Sequence, residues 1–226
     1  VRKYSIKDTF YTVQGEGAHA GTPALFIRMS GCNMWSGLEP HRQRDAKRNG
    51  ALCPLWCDTD FAHGTMMGGV DLAKRTGGTF PCDVPLVVIT GGEPLLQVDR
   101  EFIAVVRSIA PDAVIAVETN GTVLPKVPVG VRHGLDWICV SPKLPVDRLK
   151  LKHGNELKVV FPAYDPTAYE SIRDNFEHAF VSAEATTTGV GKSLISNSNL
   201  QNAADFVMRR PGWRLSLQSH KIIGVP

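Results

Sequence analysis

Short apolar runs, each closed by turn residues, recur along the chain: "ALFIRMS" (24–30), "PLVVITGG" (85–92), "AVIAVETNG" (113–121), "LDWICVSP" (135–142), "ELKVVFP" (156–162) and "HAFVSA" (178–183). Runs this short and this apolar read as strands buried on both faces of a mostly parallel sheet. Helical stripes lie between or after them: Val98, Phe102, Val105, Val106 and Ile109 share one face, and Leu200, Ala203, Ala204 and Val207 share another. Strand alternating with helix predicts βα units that close as an open barrel or a doubly wound sheet. The helical patterns are too few for a barrel of eight units, so the expected fold is α/β, a partial (open) TIM-like barrel of mostly parallel strands with helices outside. With 226 residues, 43% of them hydrophobic, one domain spanning 1–226 has enough material for its core.

The polar residues that end these runs, "TGGEP", "ETNG" and "SPK", fall on one rim of such a fold, where parallel α/β proteins place their ligands. The segment 33–52, "NMWSGLEPHRQRDAKRNGAL", has mixed charge and reads as a solvated insert with a short basic helix possible at its centre. Its basic run could instead cover the site or meet a partner.

Three cysteines flank that insert, Cys32, Cys53 and Cys57, in the spacing C-x20-C-x3-C. Five cysteines in all, an odd number, argue against a disulfide framework and leave metal binding as the better use for the clustered ones. A structural zinc site needs four ligands, so His41 or His63 would have to complete it. Three thiolates on an iron-sulfur cluster instead leave one iron open to a small molecule. Cys82 stands alone, and Cys139 sits in an apolar run where a buried thiol is ordinary.

Twenty-five Lys and Arg against 22 Asp and Glu give a net charge of +3, too little to argue for nucleic acid or an anionic membrane. No apolar run approaches the roughly 20 residues that cross a bilayer, and the polar start "VRKYSIKDTF" lacks a signal-peptide core. The expected location is cytoplasmic, with no direct nucleic-acid or membrane partner.

Four segments in order, "TVQGEGAHAGTPALFIRMSGCN", "WCDTDF", "VVITGGEPLLQ" and "WRLSLQSHKIIGVP", resemble the 7-carboxy-7-deazaguanine synthase family of radical S-adenosylmethionine (SAM) enzymes, and they span nearly the whole chain. The chain departs from the superfamily's C-x3-C-x2-C in both cysteine gaps, and it reads "FVSAEA" around Ser182 where the family usually has Gln-Pro. The resemblance implies a [4Fe-4S] cluster on Cys32, Cys53 and Cys57, SAM on the open iron, and Mg2+ with Thr59 as its protein ligand. Asp58 would organise the loop around it. Without the resemblance "CDT" is a turn with an Asx cap.

The implied SAM contacts are Gly92 and Glu93 at the methionine end, Glu118, Asn120, Ser141 and Lys143 at the ribose and carboxylate, and Ser182. Taken alone, the paired glycines mark a turn or a close backbone approach, and the other polar residues cap strands. The implied substrate is 6-carboxy-5,6,7,8-tetrahydropterin, contracted to 7-carboxy-7-deazaguanine with loss of ammonia in queuosine and deazapurine biosynthesis. Its amide and amino edge would be read by Gln14 and Glu16, which otherwise belong to a polar hairpin turn made by Gly15 and Gly17. Arg28 would take its carboxylate, or else pair with a structural Glu or Asp, because a guanidinium in a buried strand is costly alone. Val13, Gly15, Thr90, His220 and Pro226 complete the implied substrate set, the last two on a C-terminal tail that returns to the site. An electron donor such as flavodoxin and a homodimer are implied in the same way. A glycyl-radical activating enzyme and a non-catalytic zinc-binding module are the competing readings.

Overall fold

A computed structural model describes residues 2–51, 57–77, 80–81, 83–187 and 193–226. In chain order the strands are β1 (Lys3–Val13), β2 (Pro23–Met29), β3 (Thr65–Gly68), β4 (Leu86–Gly91), β5 (Val114–Thr119), β6 (Trp137–Val140), β7 (Gly154–Phe161), β8 (Phe176–Ala183), β9 (Ala185–Thr187), β10 (Ser193–Ile195) and β11 (Arg214–Ser216). The helices are α1 (Arg42–Asn49), α2 (Gly69–Thr76), α3 (Arg100–Ile109), α4 (Glu170–Arg173), α5 (Asn197–Met208) and α6 (Ser219–Ile223).

Nine strands form one sheet in the order β11, β8, β7, β6, β5, β4, β2, β1, β3, and β9 pairs with β10 apart from it. From β11 to β2 every pairing is parallel; β1 is antiparallel to both β2 and β3. The ends β11 and β3 do not pair with each other, so the barrel is open. All six apolar runs lie on strands, and the two helical stripes lie on α3 and α5, except that Val98 precedes α3. β1 is the long strand that composition hid, because it carries Lys3, Lys7 and Asp8 along an edge-side ribbon.

Alternation along each strand sorts the side chains onto two faces. Leu25, Ile27 and Met29 of β2, Val87 and Ile89 of β4, Ile115 and Val117 of β5 and Leu157 and Val159 of β7 pack with Phe102, Ile103 and Val106 of α3 in the main core. Fully burying each such side chain stabilises the fold by about 1.5–3 kcal/mol. The opposite face carries a small second cluster of Ala24, Phe26, Leu86, Val88 and Ala116. Phe10 stacks on Phe26 there, rings 5.1 Å apart and nearly parallel. This cluster floors the barrel. Above it the same alternation places Arg28, Thr90, Glu118 and Lys158, which are polar because they face the interior cavities.

Residues 33–51 are only in part the solvated excursion that composition suggests: Gln43, Arg44, Lys47 and Arg48 are exposed, but other parts of the segment pack. The short basic helix at its centre exists as α1, yet Arg42, Asp45 and Ala46 are buried, as are Met34 and Trp35 before it. Trp35 meets Phe61 edge-on at 5.4 Å, and the Arg42 guanidinium lies 3.8 Å above the Trp35 ring. An aromatic, a cation stacked on it and a carboxylate fork on Glu39 turn a charged stretch into packed structure. Among the described residues, no helix is long and apolar enough to cross a membrane.

Candidate functional site

Neighbouring strands are in register at the rim, so inward residues from successive strands meet. Arg28 is opposite Thr90 across β2 and β4. Thr90 Oγ1 donates to Glu118 Oε2 at 2.9 Å, and Gln14 Nε2 donates to Glu118 Oε1 at 3.4 Å. Lys158 of β7 stands between Glu118, 3.5 Å away, and Glu16, with which it is in close contact. Gln218 donates to the other oxygen of Glu16 at 2.6 Å. Burial disfavours both members of the pair, but the opposing charge and hydrogen bonds outweigh it, setting the Glu16 carboxyl at about 2 and holding Lys158 well above the usual lysine range.

The cysteine loop is clasped by the end of β4. The Gly92 amide donates to the Met29 carbonyl at 3.1 Å, and the Glu93 amide donates to the Gly31 carbonyl at 2.9 Å. A Cβ on Gly92 would overlap the Gly31 carbonyl oxygen and lie 3.1 Å from Cys32 Cβ. The second glycine of "TGGEP" therefore makes room for the protein's own backbone. Gly92→Ala is expected to destabilise the fold by roughly 2 kcal/mol or more, seen as a lower thermal midpoint, because rigid backbone must move.

Glu93 is fully buried, and its carboxylate accepts from the Leu95 amide (3.0 Å), Thr119 Oγ1 (2.8 Å) and the Asn120 amide (2.8 Å). Burial pushes this carboxyl up to about 7, although the three donors oppose the shift. Its side chain is thus a strut that joins β4 to β5. Asn120 Nδ2 lies 3.9 Å from Cys32 Sγ and 3.3 Å from Asn33 Oδ1.

Cys32 and Cys57 are near enough to interact electrostatically, and burial pushes both thiols up, Cys32 to about 11. Thr59 hydrogen-bonds the Cys57 sulfur through backbone and side chain, and Arg42 Nη1 holds the Cys57 carbonyl at 2.5 Å. Cys53 lies outside the described residues, as does Cys82. Among the described residues no group of three His, Cys, Asp or Glu is arranged to hold a metal ion. His41 contacts Ser36, and Cys139 is buried on the inward face of β6.

Two cavities open on this rim. Gly92, Glu118, Asn120, Ser141, Lys143 and Ser182 line the first, together with Cys57. Glu93 does not line it. Lys143 reaches Ser141 Oγ at 2.9 Å and lies 5.6 Å above the Tyr164 ring. The second cavity is lined by Val13, Gln14, Gly15 and Arg28 at its base and by His220 and Pro226 above. Glu16, Asp58, Thr59, Thr90, Glu118 and Gln218 belong to both, so the cavities share a wall.

Arg28 brings the one orphaned group to that second cavity. Its Nε is buried without a hydrogen-bond partner, and it makes no ion pair among the described residues. The guanidinium lies 5.0 Å above the Phe10 ring. A structural Glu or Asp partner for Arg28 is therefore absent among the described residues.

The tail after β11 folds over the second cavity as α6. The Ser219 amide donates to the Gly15 carbonyl at 3.0 Å, and a Cβ on Gly15 would overlap the His220 ring. Lys221 reaches Asp58 Oδ2 at 2.8 Å, linking the tail to the loop beside Cys57. Burial pushes His220 below the usual histidine value, which favours a neutral imidazole.

The chain is 42% identical to 7-carboxy-7-deazaguanine synthase of Bordetella pertussis, with 99% of each chain covered. The synthases of Bradyrhizobium diazoefficiens and Nitratidesulfovibrio vulgaris are 40% and 38% identical, again with at least 98% of each chain covered. The chain belongs to the 7-carboxy-7-deazaguanine synthase family. It is an enzyme of that family. No protein-family model matches the chain. The crystal structure of QueE from Escherichia coli shares the fold, with a TM-score of 0.62 over 95% of this chain and 93% of that one, at 21% identity.

The rim of this 7-carboxy-7-deazaguanine synthase family member holds residues that motif reading passed over. Lys158 was legible in principle, since "ELKVV" puts Glu156 and Lys158 on alternate positions of an otherwise buried strand. Gln218 and Phe10 carried no such signal, because their contacts cross 202 residues and a sheet ladder, respectively.

Proposed function

We propose that the chain catalyses the radical SAM- and Mg2+-dependent contraction of 6-carboxy-5,6,7,8-tetrahydropterin to 7-carboxy-7-deazaguanine, with loss of ammonia. The observation that carries the reading is the shared wall: a cavity beside the cysteine loop abuts a cavity lined by a half-buried guanidinium that has no ion-pair partner among the described residues and whose Nε is buried without a hydrogen bond. A cofactor held in the first is then next to a carboxylate held in the second.

When bound, the [4Fe-4S] cluster and SAM supply the hydrogen-abstracting radical. The thiols of Cys32, Cys53 and Cys57 would hold the cluster; Cys32 and Cys57, half-buried and near each other, fit that role although burial pushes both thiols up, because a metal that takes the sulfur displaces its proton. Gly92, Asn120, Ser141, Lys143 and Ser182 would bind SAM, with Glu118 at the ribose. Glu93 supports that wall from behind. Arg28 would clamp the substrate carboxylate in a bidentate fork, and Gln14 and Glu16 would accept from its amide and amino edge. Thr59, on the shared wall, would offer Mg2+ its single protein oxygen, since this ion takes most of its ligands from substrate and water. His220 and Pro226 would close the cavity and exclude water.

A one-electron donor such as flavodoxin, a homodimeric assembly and a cytoplasmic location belong to the same proposal. Domain limits do too: one domain over 1–226, with 33–52 as an insert that walls the cysteine loop and the tail as a cap. Anaerobic reconstitution followed by product mass tests cluster, SAM and substrate together. About four irons per chain and a product of the expected mass support the reading. One zinc per chain without colour would support a zinc-binding module, and SAM cleavage without turnover of the carboxypterin would favour a glycyl-radical activating enzyme.

A further inference from the structure

Lys158 is the charged group that neither the cysteine motif nor the strand-end motifs explain. It is buried at the centre of the barrel, and every polar contact it makes is to a carboxylate on the wall that the two cavities share. We infer that Lys158 is a positioning residue for substrate recognition: standing between Glu16 and Glu118, it holds Glu16 as an anion, so that the shared wall presents an acceptor to the donor-rich edge of a guanine-like heterocycle. The inference rests on the carboxypterin reading above.

Two carboxyl groups in one desolvated space resist simultaneous ionisation, and without a cation between them one takes a proton. A protonated carboxyl donates, and a donor aimed at a ligand N–H repels it. Glu118 has Gln14 and Thr90 as donors besides Lys158, whereas Glu16 has only Gln218. Losing the lysine therefore leaves Glu16 as the less supported anion, and Glu16 faces the substrate cavity. Other charged or titratable groups around the pair are Cys139 of β6, Glu156 of β7, His220 and Lys221 of α6, Arg28 of β2 and Lys143 after β6. Because Glu16 and Lys158 both act on His220, each comparison is repeated with His220→Asn in both proteins, where the pH-dependent ratio is expected to persist; its disappearance there overturns the inference.

The test uses anaerobically reconstituted protein with matched iron content and measures carboxypterin affinity by calorimetry from about pH 6 to about pH 9. Lys158→Met is expected to bind about tenfold or more weaker than the parent at the acid end and to recover toward it as the pH rises. Lys158→Arg, which keeps the cation, is expected to track the parent throughout. A loss in Lys158→Met that is the same at every pH, or no loss, overturns the inference, because a merely structural lysine gives no pH-dependent ratio. Should Lys158→Met not fold, the charge-balanced Lys158→Met/Glu118→Gln is compared with Glu118→Gln. Glu16 in the double variant is still desolvated and lacks its cation, so the ratio of double-variant to Glu118→Gln affinity is expected to rise with pH, and a ratio constant with pH overturns the inference. A parent protein that binds SAM but no carboxypterin would instead refute the substrate reading.

Discussion

Replacing Cys57 with alanine is expected to remove the cluster and reduce turnover to background while leaving the metal-free fold nearly as stable as before. The side chain is half-buried near Cys32, and Thr59 lies against its sulfur. In the metal-free protein that thiol is a small buried group whose loss costs on the order of 1 kcal/mol. On the proposed reading it is one of three thiolates that would leave one iron open, and two could not do so. Iron content, the broad visible absorption and the apo thermal midpoint check this together. A variant with the full iron complement and normal turnover would remove Cys57 from the cluster, whereas a variant that fails to fold would show that the loop is structural first.

Arg28→Met should weaken carboxypterin binding a few hundredfold, from a loss of about 3–4 kcal/mol when one partner of a buried charge pair is removed. Cluster content and SAM affinity should stay unchanged, since Arg28 lines the second cavity and not the first. Folding should be unaffected or improved, because Nε is buried with no partner and a buried cation without one is a cost. Arg28→Lys should recover little, as an ammonium cannot form the planar fork. Calorimetric titration of each variant, with thermal melts alongside, checks all three. Equal affinity in Arg28→Met would place the substrate carboxylate elsewhere.

Glu118 shows how far inference from motif to site extends. "VETNG" places a carboxylate at the end of a buried strand, where period-two alternation turns it inward once Ile115 and Val117 are given to the helices. Glu93 follows the same kind of motif to a different end. Adjacent to the glycine pair it reads as a ligand contact, yet the chain reverses at Pro94 and aims the carboxylate at Thr119 and Asn120. Segment 33–52 went further from its composition. Its charges predict solvent, and the stacking of Arg42 on Trp35 and its bond to the Cys57 carbonyl instead tie its helix to the cysteine loop.

Strand and helix order, the inward face of each strand, the rim that carries the ligand residues and the family could all be read from residue order, because period-two and 3.6-residue spacing and local turn chemistry are properties of neighbours along the chain. Which carboxylate faces a cavity, which is spent as a strut, and that Lys158 sits between Glu16 and Glu118 came from folding alone. Those facts depend on contacts across 26 to 142 residues, and the energy of a buried charge is set by what surrounds it in space rather than by what precedes it in sequence.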